Sequence, residues 1–228
     1  LRRTIGFRLT VGFIAIVLVA NTIVSAVTVF GIGDVLLEEV QTRVRLDLNS
    51  VRQVYDDQIR RGLSYLQAVA VDRMRLAAAL RNADEVDEAA TLLGHIQRQG
   101  EMDVLRLLDQ TGTVVWRGNG TRGDDVSKDP VVAKVLSTGK PASGTVIVDA
   151  DTLSKEGEAL AETARFKIIP TTAARSTEKS EETSGMLMAA AVPIPGSDGS
   201  LAGILYGGIL LNRRYDLVDQ MKAEVFQG

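Results

Sequence analysis

The sequence predicts an α+β protein in which a transmembrane helix leads into a long amphipathic helix, packed on an antiparallel sheet of about five strands. Three observations predict it: an uncharged run near the amino end, an apolar stripe of helical spacing after that run, and a change to strand periodicity from Met102 onward.

The uncharged run covers 9–33, roughly 25 residues against the ~20 a helix needs to cross a bilayer. Arg2, Arg3 and Arg8 precede it without an acid, and Asp34, Glu38 and Glu39 follow it. That asymmetry places 1–8 in the cytoplasm and everything after 33 outside. The competing reading is a cleaved signal peptide, since "VSA" at 24–26 fits a small-residue cleavage site. The apolar run continues past it through Val27, Val29 and Phe30, which favours an uncleaved anchor.

After the run, Leu36, Val40, Val44, Leu48, Val51, Tyr55, Ile59, Leu63, Leu66, Ala70, Met74, Ala77 and Leu80 recur every three or four residues. This is the stripe of one amphipathic helix over about 34–81, with Gly62 marking a candidate bend. Its second half is expected to cover a sheet. Its first half has no other element in sequence to cover it, so a homodimer through this juxtamembrane helix is expected.

"NADEVDEAATLLGHIQRQG" reads as a turn and a second helix, capped by Asn82 or Asp84 and stopped by Gly100. It carries the sole histidine, His95. "MDVLRLLD" and "TVVWRG" form a hairpin around Gln110, Thr111 and Gly112, with Asp109 bonding the backbone two residues on and Gly112 free to take positive φ. "VSKDPVVAKVLSTGKP" gives a helix capped by Asp129, with Pro130 in its first turn and Gly139 at its end. "SGTVIVDA" is a third strand and "TLSKEGEALAETARF" is helical again. The polar stretch 170–185 reads as a long loop. "MLMAAAVPI" and "LAGILYGGILL" make a second hairpin across "PGSDGS", and "NRRYDLVDQMKAEVF" closes as a helix capped by Asn212.

Composition limits the function. The roughly 195 residues after the run suffice for one hydrophobic core. Net charge is −3 with acids and bases interspersed, so no nucleic-acid footprint is present. The absence of cysteine excludes disulfides, thiolate catalysis and cysteine metal ligands. A lone histidine builds no metal site. No hydrolase elbow, zinc-protease motif or phosphate loop is present, and Leu153 breaks the calcium-loop pattern that "DADTLSKEGEAL" begins. Neither catalysis nor a cofactor is expected of this region.

The stretches "VLRLLDQTGTVVWR", "DDVSKDPVVAKVLSTGKPASG", "LSKEGEALAETA" and "MLMAAAVPIPGSDGSLAGILYGGILLNRRYDLVD", with the span and long helix before them, resemble the extracytoplasmic Cache sensor domains. These are PAS-like modules of bacterial transmembrane histidine kinases, chemoreceptors and cyclases. The resemblance covers essentially the whole chain and implies a division into a cytoplasmic end (1–8), a transmembrane helix (9–33), a long juxtamembrane and domain helix (34–82) and a Cache-like sensor domain (83–228). In such proteins more sensor sequence, a second transmembrane helix and a signalling region follow, so the output is expected beyond Gly228. The function implied is a membrane-anchored sensor with its domain in the periplasm or outside the cell, most often of the histidine-kinase type. The alternatives are a chemotaxis receptor, a cyclase, or a dimerisation module without ligand.

The resemblance further implies a small-molecule pocket on the sheet face opposite the long helix, roofed by segments between 117 and 186. Candidate polar groups are Arg117, Asp149 and Arg165, with Met188 and Tyr206 as wall residues. Trp116 is either packing against the helix or an aromatic wall. Strand alternation sends Trp116 and Arg117 to opposite layers. Amino-acid-sensing members carry Arg-x-Trp-Tyr where this chain has "VVWRG", so no ligand class is assigned.

Overall fold

A computed structural model of the chain describes residues 5–70, 73–81, 83–171 and 179–226. The chain forms two compact units, 1–52 with 224–228, and 53–223. In the first unit lies the amino-terminal part of helix α1 (Ile5–Val69), whose side chains Phe13, Ile16, Val19 and Ile23 are exposed. Val40, Val44 and Leu48 of the helical stripe are exposed as well. Among the described residues no helix is long and apolar enough to cross a membrane. Within the run 9–33, side chains are described without a gap only over 10–25, which stops short of the ~20 residues of a span.

The second unit is built around a five-stranded antiparallel sheet of β1 (Val104–Asp109), β2 (Val114–Arg117), β3 (Ala142–Val148), β6 (Gly185–Pro195) and β7 (Leu201–Leu210), in the order β2-β1-β7-β6-β3. The β1–β2 turn forms as its sequence requires. Asp109 Oδ1 accepts the N–H of Thr111 at 2.8 Å and of Thr113 at 2.9 Å, and Gly112 takes φ 91°.

Strand residues divide between two cores: β1, β6 and β7 alternate with the pleat, while a bulge opposite Leu107 and Leu108 puts the adjacent Val115 and Trp116 of β2 on one side. On one face Leu105, Leu107, Trp116, Ala190, Val192, Ile194 and Leu205 pack against Leu66 of α1, against Leu76 and Ala79 of α2 (Arg73–Ala79), and against Val86, Leu93 and Ile96 of α3 (Ala83–Gln99). Gly207 belongs to this side. A Cβ there would lie 2.5 Å from Met102 Sδ and 3.2 Å from Leu66 Cδ1, so the bare backbone is what lets α1 approach the sheet. On the other face Val104, Leu108, Val114, Leu187, Ala189, Ala191, Ile204 and Tyr206 meet Val131, Val132 and Val135 of α4 (Pro130–Thr138), Leu153 of α5 (Ala150–Glu156) and Ala164 of α6 (Glu158–Ala164).

Helix α4 has the termini expected of it. Asp129 accepts from Val131 N and Val132 N, Pro130 occupies the first turn, and Gly139 closes the helix in the left-handed region at φ 64°.

Three expectations differ from the structure. The helix expected over 34–81 ends at Val69, and Leu76 and Ala79 reach the core from the separate α2. The helix expected after β3 is split into α5 and α6 at Gly157, whose φ of 146° is outside helical backbone. Phe166 and Lys167 leave the expected helix to form β4 (Phe166–Lys167), paired with β5 (Glu181–Glu182), on either side of the polar stretch.

Asn212 does not cap the closing helix α7 (Tyr215–Phe226). Its amide donates to Ala164 O at 2.9 Å and Ser184 O at 3.3 Å, while its Oδ1 accepts from Met186 N at 2.8 Å. Those three bonds hold the side chain against α6 and β6, and α7 begins only at Tyr215. The Asn82 cap and the middle of the polar stretch, 172–178, fall outside the described residues.

Candidate functional site

The register of the sheet aligns Arg117 of β2 with Arg106 of β1, Arg106 with Tyr206 of β7, Tyr206 with Ala191 of β6, and Ala191 with Ala142 of β3. One row, one residue from each strand, thus runs across the face covered by α4, α5 and α6. At one end it holds two guanidinium groups, and at the other two methyl groups.

Two cations directly opposite one another on neighbouring strands repel. Here both are buried, with side chains 2% and 0% exposed. Burial of an ion without a partner is costly enough that an anion has to be supplied. Glu156, the last residue of α5, supplies it with a side chain 3% exposed. Arg106 Nε donates to Glu156 Oε1 at 2.6 Å, and Arg117 Nε lies 2.8 Å from the same oxygen without hydrogen-bond alignment. Arg117 Nη2 also donates to Asp124 Oδ2 at 2.8 Å, and Lys155 Nζ lies 3.8 Å from that oxygen. Asn119 Nδ2 donates to the carbonyl of Lys155. The end of α5 is therefore fastened to the sheet by side chains of the β1–β2 hairpin and the loop after it.

Burial pushes the Glu156 carboxyl above the usual range, against the pull of Arg106 and Arg117. Burial acts upward on Asp124 too, but its hydrogen bond and charge contact with Arg117 outweigh it and hold the group low.

Tyr206 completes the row. Its ring lies under the Arg106 guanidinium, 5.1 Å from Cζ to the centroid, in a cation–π contact. Its hydroxyl donates to Asp129 Oδ2 at 3.1 Å, so the residue that caps α4 also ties it to the central strand. Burial, with the Asp129 charge beside it, pushes the phenol well above its ordinary value and keeps it a donor.

The cluster is not fully matched. Among the described residues, Arg106 Nη2, Arg117 Nη1, Arg117 Nε and Asp124 Oδ1 are buried without a hydrogen-bond partner. Buried polar atoms are nearly always paired, so four unmatched ones in one place set this cluster apart.

Of the residues expected at a site, Arg117 and Tyr206 come together on this face. Trp116 faces the opposite layer, packed with Leu107 and Leu205 among the α1, α2 and α3 side chains. Met188 borders a narrow crevice beside Gln58, Ile59 and Gly62 of α1. Asp149 is exposed and caps α5, accepting from Thr152 N at 2.8 Å, a bond that lowers its pKa. Arg165 is exposed at the end of α6, 3.7 Å from Glu162. His95 is exposed on α3.

Arg106 and Glu156 were absent from the expected set. Arg106 had a visible signal, as a lone charge inside the apolar strand "VLRLL". Glu156 had none, because nothing local distinguishes it from Glu158 or Glu162. Among the described residues, no group of three or more histidine and acidic side chains is placed to hold a metal ion. Two open grooves, of about 410 Å³ beside Pro141 and Pro195 and about 380 Å³ beside Phe166 and Met186, have no buried charge in their walls.

No family model matches the chain, and no curated protein matches it. Solved structures do. The sensor domain of the histidine kinase DctB from V. cholerae aligns at 14% identity and a TM-score of 0.49, over 82% of this chain and 59% of that one. The periplasmic domain of LuxQ from Vibrio cholerae aligns at 13% identity and a TM-score of 0.46, over 82% and 70%. The ligand-binding domain of the amino acid chemoreceptor PctC from Pseudomonas aeruginosa PAO1, solved in complex with GABA, aligns at 13% identity and a TM-score of 0.36, over 82% and 69%. The chain spans about three fifths of the length of the first of these structures.

Proposed function

We propose that this chain is the extracytoplasmic sensor region of a membrane-anchored bacterial signal-transduction receptor, of the sensor histidine kinase type, and that it binds a small molecule at the Arg106–Arg117 row. The observation that carries this reading is the under-matched pair of buried guanidinium groups, closed over by α5. A purely structural core has no need of two opposed buried cations, since apolar residues of similar volume serve stability as well or better.

The uncharged run 9–33, with arginines before it and acids after it, supports anchoring in the inner membrane with the sheet domain outside. Signal transmission then requires only that the ligand bind two arrangements of the domain with different affinity.

A second reading, a dimerisation module without ligand, is favoured by the exposed Val40, Val44 and Leu48 on one stripe of α1. A homodimer through that stripe suits the sensor reading equally.

The test is a thermal-melt screen of the full 228-residue chain in detergent micelles against organic acids, amines and amino acids at millimolar concentration. A binder raises the midpoint by mass action. A shift confined to one chemical class supports the sensor reading. No shift with any compound overturns it in favour of the dimerisation module.

A further inference from the structure

We infer that Glu156 is a tethered stand-in for a small carboxylate anion, and that such an anion, on binding, takes its place between Arg106 and Arg117 and frees α5. This rests on the sensor reading above and adds to it the chemical class of the ligand and the group it displaces.

Removing Glu156 from the row without replacement would leave Arg106 buried with no anion and Arg117 with Asp124 alone, so α5 is held shut in the absence of another anion. Exchange of one carboxylate for another leaves the charge of the row unchanged and removes that obstacle. An amine or a neutral compound has no such exchange available to it.

Glu156 is an imperfect partner because its backbone is fixed at the end of a helix closed by Gly157. One oxygen, Oε1, serves both Nε atoms, is aligned for a hydrogen bond only with Arg106, and leaves Arg106 Nη2 and Arg117 Nη1 without partners among the described residues. A free carboxylate can orient itself, and a guanidinium binds one best through two parallel N–H bonds. The unmet donors are therefore what a mobile carboxylate gains over the tethered one.

The other side-chain ties at the end of α5 are the Asn119 bond to the Lys155 carbonyl and the long Lys155–Asp124 contact, with the lysine side chain 45% exposed. Neither is a buried charge pair. Once Glu156 is replaced, little polar attachment keeps this end of α5 against the hairpin.

The experiment uses the full chain in detergent micelles at pH 7, with melting followed by the fluorescence of the single tryptophan. Wild type and Glu156→Ala are compared in sodium acetate, propionate and succinate against sodium chloride of equal ionic strength. The expected result is a lower midpoint for the variant in chloride, and recovery of several degrees in carboxylate. Its apparent carboxylate affinity is expected to be at least ten-fold tighter than that of wild type, which must first displace its own side chain. No carboxylate-specific shift in the variant overturns the inference. Equal rescue by phosphate or sulfate overturns the assignment to carboxylates.

If the variant does not fold, hydrogen exchange on the wild type decides. Succinate is expected to speed exchange across 150–157 relative to chloride, and unchanged exchange there overturns the proposal. A wild type that responds to an amine while neither protein responds to carboxylates sinks this inference and leaves the sensor reading standing. Silence from every compound in both proteins sinks both.

Discussion

Replacing Asp129 by alanine is expected to cost more than the loss of a helix cap, because this one carboxylate serves two elements. Its Oδ1 accepts from Val131 N at 2.8 Å and Val132 N at 3.2 Å, and its Oδ2 accepts the Tyr206 hydroxyl. The lost cap is worth about 1 kcal/mol. The Tyr206 hydroxyl, on a side chain with no solvent exposure, is then left unpaired, at a further cost of about 1–3 kcal/mol. Asp129→Ala alone should therefore destabilise by about 2–4 kcal/mol. Made on top of Tyr206→Phe, the same change should cost only the cap. The coupling energy between the two sites is thus expected at about 1–3 kcal/mol. Urea unfolding of the four proteins in the cycle, read by the fluorescence of buried Trp116, measures it directly. The single tryptophan reports on the sheet and is blind to unfolding confined to the amino-terminal part of α1. Coupling below about 0.5 kcal/mol, the level expected of independent sites, would refute the claim that α4 is fastened to the central strand through this bond.

Two further outcomes are expected. The N–H of Ser184, bonded to Glu182 Oε1 at 2.9 Å, leads the contacts that hold the Glu182 carboxyl down from 4.5 to about 2. Since the folded value lies below the unfolded one, the stabilisation this group gives is complete above about pH 4.5 and disappears as pH falls through about 2; a carbon NMR titration with a midpoint near the ordinary value contradicts this. Deleting 1–33 should give a protein that stays in solution without detergent and keeps its buried tryptophan emission, and an insoluble or unfolded product in an ultracentrifugation and fluorescence assay contradicts the anchor boundary.

The elements whose shape is set locally were legible in the sequence. The Asp109–Gly112 turn, the Asp129, Pro130 and Gly139 signals of α4, and the two hairpins each follow from residues within a few positions of one another. The breaks were less legible. The helical stripe continues past Ala70, and nothing in its period announces that α1 ends at Val69 and α2 is a separate helix. Gly157 reads equally well as a tolerated glycine inside a helix and as the junction it proves to be.

The candidate site divides in the same way. Alternation correctly separated Trp116 from Arg117, because that is a property of one strand. Which cations meet across strands depends on register, so the facing of Arg106 and Arg117 and the arrival of Glu156 are long-range facts. Asn212 shows how a local signal is overridden: a residue suited to capping is occupied by partners that lie 26, 28 and 48 positions away.

That asparagine also acts as a mechanical coupling. Its side chain joins the last carbonyl of α6 to the start of β6, one position later Arg213 Nη2 grips the carbonyl of Arg165 at 2.6 Å, and the chain then runs directly into α7. The helical roof and the outgoing helix are thus geared together at one knuckle, where a small swing of α6 has to be either blocked or passed along the polypeptide.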